Sequence, residues 1–126
     1  MNLRTPLSQA KGLGSAKDGV HHWWAERLTA AALVPLYIWL VFSLIGMAGA
    51  DYETVRAWVA APIPALLLIL LIGVTFHHMQ LGMQVVYEDY IHIEWLKLIS
   101  IVLTKFIAFL LAAAGIFAVL RVAFGG

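Results

Sequence analysis

The chain has 126 residues and a formal net charge of +1; 63% of it is hydrophobic, 12% is charged, and cysteine is absent. A soluble domain averages about 25% charged residues, so an ordinary water-facing globule is excluded, as is a disordered chain, which needs low hydrophobicity and high net charge. There is no clustered basic patch for nucleic acid, and without cysteine there are no disulfides, thiolate metal sites, iron–sulfur ligands or thiol nucleophiles.

The first segment, Met1 to His22, is polar and rich in turn formers, with Gly12, Gly14, Ser15, Asp18 and Gly19. Residues 1–25 read as an extended arm lying on the membrane surface or on another subunit. Three apolar stretches follow. Leu28 to Ala50 is 23 residues without a charge, and Ala57 to Tyr87 is 31 residues without Asp, Glu, Lys or Arg. Leu98 to Leu120 is 23 residues interrupted only by Lys105. A transmembrane helix needs about 20 mostly apolar residues. The pattern therefore predicts an all-α membrane protein, a single domain over 1–126, with spanning helices at 26–49, 62–87 and 96–122.

Pro62 and Pro64 suit the first turn of the second helix, where a missing N–H costs little. The stretches lack the alternation of a membrane barrel. The first is too long, and begins too far along the chain, to be a cleaved signal peptide. Trp23 and Trp24 before the first span, Trp58 before the second and Trp95 at the third suit the headgroup level. Arg4, Lys11, Lys17 and Arg27 precede the first span, whereas the first loop holds only Arg56. The bias of basic residues predicts an inside N-terminus, an inside loop at Glu88–Glu94 and an outside C-terminus.

His77 and His78 lie within the second apolar stretch. An ionisable side chain in a membrane helix is costly and faces a bundle interior or a cavity. Three roles fit: a haem axial ligand, a member of a proton relay, or a hydrogen-bonding partner for another helix. Adjacent histidines point about 100° apart on a helix, so the two do not share one metal. From His78, helical spacing puts Gly82, Val85 and Asp89 on one face. A glycine one turn away leaves a flat surface for a planar ring or for another backbone.

Asp89 and Tyr90 close the same helix, as a proton-passing donor pair for a quinone carbonyl or as an interfacial tyrosine beside a solvated acid. Arg27 starts the first span at the same boundary and opposes the helix dipole there. Its candidate anionic partners are a haem propionate, Glu26 and a lipid phosphate. Lys105 lies about 13 Å along the third span from Leu96; it is expected to snorkel inward along its stem, the alternative being a functional pairing. No soluble catalytic motif is present; Gly12-Leu13-Gly14 lacks a preceding strand and a third glycine.

Two motifs carry a resemblance. The first is Gly12-Leu13-Gly14-Ser15-Ala16-Lys17-Asp18-Gly19-Val20-His21-His22-Trp23-Trp24, followed by Glu26-Arg27-Leu28-Thr29-Ala30. The second, more specific, is His78-Met79-Gln80-Leu81-Gly82-Met83-Gln84-Val85-Val86-Tyr87-Glu88-Asp89-Tyr90-Ile91-His92. With them the chain resembles the hydrophobic membrane anchor subunit of succinate dehydrogenase, the smaller cytochrome b anchor of respiratory complex II in its alphaproteobacterial form.

The resemblance implies a subunit of succinate:ubiquinone oxidoreductase in the bacterial inner membrane, not catalytic alone. It implies three partners: a second cytochrome b anchor, an iron–sulfur subunit and a flavoprotein. It implies one haem b shared with the second anchor, with His78 as this chain's axial ligand to iron. Arg27 and, less specifically, His21 fall near the propionates. Tyr90 and Asp89 fall at the ubiquinone site. A fumarate reductase anchor, or a non-redox transport subunit with a histidine proton relay, are the alternatives to this reading.

Overall fold

The computed structural model describes residues 16–125, with Pro6 alone before them. Among the described residues the long elements are all helices: α1 is Ala16–Gly46, α2 Tyr52–Ala60, α3 Pro62–Tyr90 and α4 Glu94–Ala123. Three of these, α1, α3 and α4, are long and apolar enough to cross a membrane. They contain 31, 29 and 30 residues. At about 1.5 Å per residue each outruns a hydrocarbon core of about 30 Å.

The second and third spans begin and end within three residues of their expected limits. The first does not. Residues 16–25, expected as part of an extended arm, form the first turns of α1. The turn-forming residues there are too few to break it: Gly19 alone costs about 1 kcal/mol, and no proline intervenes before Pro35. The remainder of the expected arm, 1–15, lies outside the described residues apart from Pro6.

The chain leaves α1 through a reversal at Met47–Gly49, where Gly49 has φ +82°, a conformation open to glycine at no steric cost. Asp51 then caps α2: its carboxylate accepts from the Thr54 backbone N–H at 2.9 Å. Ala61 keeps an extended backbone and Pro62 opens α3, as expected of a proline at the first helical position. Ile91–Ile93 form the short link into α4, whose first turn carries a Glu94–Lys97 ion pair at 3.0 Å.

Helix α3 is the middle element. It packs on both α1 and α4, and α2 packs against α3 and α4. The buried apolar residues, Ala65, Leu71, Leu81, Ala108 and Val119, all belong to α3 and α4. The Ile72 side chain of α3 packs directly on Gly115 of α4, where an added Cβ would stand 3.1 Å from Ile72 Cγ2. Two hydroxyl pairs tie the layer together: Tyr37 Oη to Thr75 Oγ1 at 2.7 Å, between α1 and α3, and Tyr87 Oη to Thr104 Oγ1 at 2.8 Å, between α3 and α4. Trp58 on α2 stacks against Trp39 on α1 with centroids 5.5 Å apart. The result is one layer of three helices, an open half of a bundle.

Candidate functional site

The α1–α3 contact brings Thr29 to His78, with Thr29 Oγ1 2.8 Å from His78 Nδ1. The hydroxyl also lies 2.6 Å from the Ala25 carbonyl oxygen and 3.1 Å from that of Glu26. A hydroxyl has one proton and two lone pairs. At 2.6 Å two acceptor oxygens would repel, so the proton goes to the Ala25 carbonyl. The Thr29 oxygen then accepts from His78, which carries its proton on Nδ1. In a neutral imidazole that leaves the Nε2 lone pair as the free acceptor. Among the described residues no hydrogen bond reaches Nε2.

One turn further along α3, the position of a Cβ on Gly82 has nothing within 4 Å. His78 thus stands beside an uncluttered stretch of backbone. Both features suit an axial ligand to a planar macrocycle. Among the described residues there is no group of three or more His, Asp or Glu side chains that could hold a metal ion alone. A haem requires none, because the porphyrin nitrogens fill four positions.

His77 turns to a different neighbour. Its Nδ1 lies 3.2 Å from Gln80 Nε2, and Lys105 Nζ donates to Gln80 Oε1 at 2.8 Å. Lys105, expected to snorkel along its stem, is therefore held by α3 at mid-span. The row lines an α3–α4 cavity of about 320 Å³ that also includes Phe76 and Phe109. Its members give one another polar partners where lipid would give none.

Asp89 and Tyr90 lie in the last turn of α3, both exposed, Tyr90 at 79%. Twelve residues separate Tyr90 from His78, about 18 Å along the axis. Arg27 is on the same side of the layer but deeper. It sits two residues from Thr29, about 3 Å from the level of the His78 contact and some 15 Å short of Tyr90. Its guanidinium stacks over Trp23, 5.1 Å from the ring centroid. His21 lies six residues earlier, about 9 Å closer to the Tyr90 end, and is exposed. By depth along the helices Arg27 lies near the level of His78 and far from Asp89 and Tyr90, although two residues along α1 turn about 200°, so Arg27 and Thr29 leave the helix on different faces.

Sequence reasoning did not single out Thr29, Gln80 or the His22–Glu26 pair, whose Nδ1 and Oε1 stand 3.7 Å apart. Thr29 and Gln80 lie inside the quoted motifs, yet only helix pairing reveals what they face.

The protein-family model described as "Succinate dehydrogenase/Fumarate reductase transmembrane subunit" matches residues 1–112. The chain is 35% identical over 118 residues to the succinate dehydrogenase hydrophobic membrane anchor subunit of Rickettsia bellii, covering 94% of each chain. It is 31% identical to the protein of the same description from Paracoccus denitrificans, over 99% of this chain and 96% of that one. The succinate dehydrogenase membrane anchor subunit of Reclinomonas americana is 30% identical over 73% of this chain and 79% of its own length. No solved structure matches the chain.

Proposed function

This chain belongs to the succinate dehydrogenase/fumarate reductase transmembrane subunit family as a multi-pass hydrophobic membrane anchor of succinate dehydrogenase, and we propose that it supplies half of a haem b site and part of the ubiquinone-reduction site. The observation that carries the proposal is the 2.8 Å contact between Thr29 Oγ1 and His78 Nδ1. With the Thr29 proton committed to the Ala25 carbonyl, a neutral His78 carries its proton on Nδ1; no hydrogen bond among the described residues reaches Nε2, and the neighbouring Gly82 surface is open.

His78 Nε2 would be this chain's ligand to the haem iron, with a histidine of a second cytochrome b anchor as the other. When bound, the haem would supply a one-electron store. Arg27, at nearly the same depth, offers its guanidinium to a propionate, with His21 nearer the boundary. About 18 Å from His78, the Tyr90 hydroxyl donates to a ubiquinone carbonyl, and Asp89 keeps that end polar and accepts protons on their way in. Succinate oxidation takes place at the flavoprotein, and electrons arrive through the iron–sulfur subunit. The complex sits in the bacterial inner membrane, with this chain's N-terminus and the Asp89–Tyr90 end of α3 inside.

The test is the reduced-minus-oxidised spectrum of the purified complex. His78→Ala removes or disturbs the low-spin b-type spectrum, while His77→Ala, whose side chain meets Gln80, leaves it unchanged. Equal loss in both variants, or no change in His78→Ala, overturns the assignment.

A further inference from the structure

We propose that Thr29 is the positioning residue of the iron ligand: it fixes the tautomer and ring orientation of His78 from the neighbouring helix and lowers the haem's reduction potential. The inference rests on the reading of His78 as the axial ligand and adds the group behind it.

A metal-bound histidine commonly donates its second ring N–H to an acceptor, which sets the tautomer and raises the ligand's basicity. In most such pairs the acceptor is a carboxylate, a carbonyl or water. Here it is a hydroxyl oxygen whose own proton is already committed to the Ala25 carbonyl at 2.6 Å. That commitment makes Thr29 a one-way acceptor toward His78 at 2.8 Å. The reversed arrangement, Thr29 donating to Nδ1, would protonate Nε2 and block ligation. It would also set two acceptor oxygens against each other.

The α1 backbone is therefore part of the device. The turn from Ala25 to Thr29 holds the hydroxyl, the hydroxyl holds the imidazole, and rotation of the ring about its Cβ–Cγ bond breaks the 2.8 Å contact. Both partners are partly buried, so no water need replace the bond. Electron density pushed toward Nε2 by the N–H···O bond favours ferric over ferrous iron, which lowers the potential. The bond also joins α1 to α3.

The experiment uses the intact purified complex. Thr29→Val keeps the branched shape and removes the oxygen; Thr29→Ser keeps the oxygen. Thr29→Val is expected to raise the haem midpoint potential, alter the anisotropy of the low-spin ferric EPR signal, and weaken haem retention about tenfold, the lower end of the range for lost outer-shell partners. Thr29→Ser is expected to restore wild-type values. If Thr29→Val does not assemble, the same three readings on Thr29→Ala decide. A wild-type potential and EPR signal in the oxygen-less variant overturns the role of Thr29, provided His78→Ala loses the haem in parallel. If His78→Ala keeps its haem, the ligand assignment itself has failed.

Discussion

Tyr90→Phe removes one hydroxyl and almost no volume, so it separates a hydrogen bond from packing. The side chain is 79% exposed in this chain, and nothing in α3 is supported by its Oη. A site built around a substrate hydrogen bond loses rate when the donor goes. Succinate–quinone activity is expected to fall by roughly tenfold, the equivalent of about 1.4 kcal/mol. Reduction of a soluble artificial acceptor, which takes electrons upstream, and haem content are expected to stay at wild-type levels. An unchanged quinone rate in an intact complex reduces Tyr90 to an interfacial anchor. At this scale the sequence singles out His78, Asp89 and Tyr90 as candidates, because polar groups in or beside an apolar run are conspicuous. It could not make Thr29 legible. A helical threonine that bonds back to the carbonyl four residues earlier is ordinary, and only the pairing of α1 with α3 shows that its remaining lone pair meets His78.

The helices meet through small residues and hydroxyls rather than through a large apolar core. Gly115 on α4 is covered closely by α3, with Ile72 Cγ2 at 3.1 Å from an added Cβ. Gly115→Leu needs more room than Ile72 can yield and is expected to destabilise the subunit by about 1–3 kcal/mol, the usual cost of overpacking, read as a lower melting temperature of the detergent-solubilised complex. Thr104→Val removes the partner of Tyr87 and is expected to cost only about 0.6 kcal/mol, typical of a polar contact between membrane helices. Comparable effects of the two would mean that close backbone approach is not what holds α4.

Helix α2 was hidden in the sequence between two stronger apolar signals. Its own signal, Asp51 three residues before Thr54, is the only short-range cue to its start. The hydrogen bonds from Thr54, side chain first and backbone next, hold the Asp51 carboxyl below its ordinary value. The folded form thus binds its proton less readily than the unfolded. The cap contributes fully above the ordinary carboxylate range and is lost as pH falls through the lowered value. Protection of the Thr54 amide from hydrogen exchange should drop in that acid window, and Asp51→Ala should remove the pH dependence.

As a whole molecule, the chain is one layer whose middle helix has neighbours on two sides only. In α1 no described side chain is buried, and Phe42, Phe106, Phe109 and Phe117 are each at least 64% exposed. A layer of this kind is completed by lipid and by the other subunits of its complex. The three spans were legible because length and hydropathy alone set them. The start of α1 was not, since Asp18 and Gly19 read as turn formers while the helix continues through them. The antiparallel order puts the start of α1 and the end of α3 on one side and the end of α4 on the other. With the basic residues ahead of the first span setting orientation, a reporter at the N-terminus is expected to read inside and one at the C-terminus outside. Both ends on one side would mean that one of the three helices does not cross.

The central claim is that this anchor carries half of a haem site as well as tethering the complex. It is tested most directly by the reduced-minus-oxidised absorption spectrum of the complex purified through a tag on this chain, with haem quantified per copy. A low-spin b-type spectrum with one haem per copy is expected, lost in His78→Ala and kept in His77→Ala. A complex that retains every subunit and reduces quinone, but shows no haem absorption in the wild-type form, would contradict it.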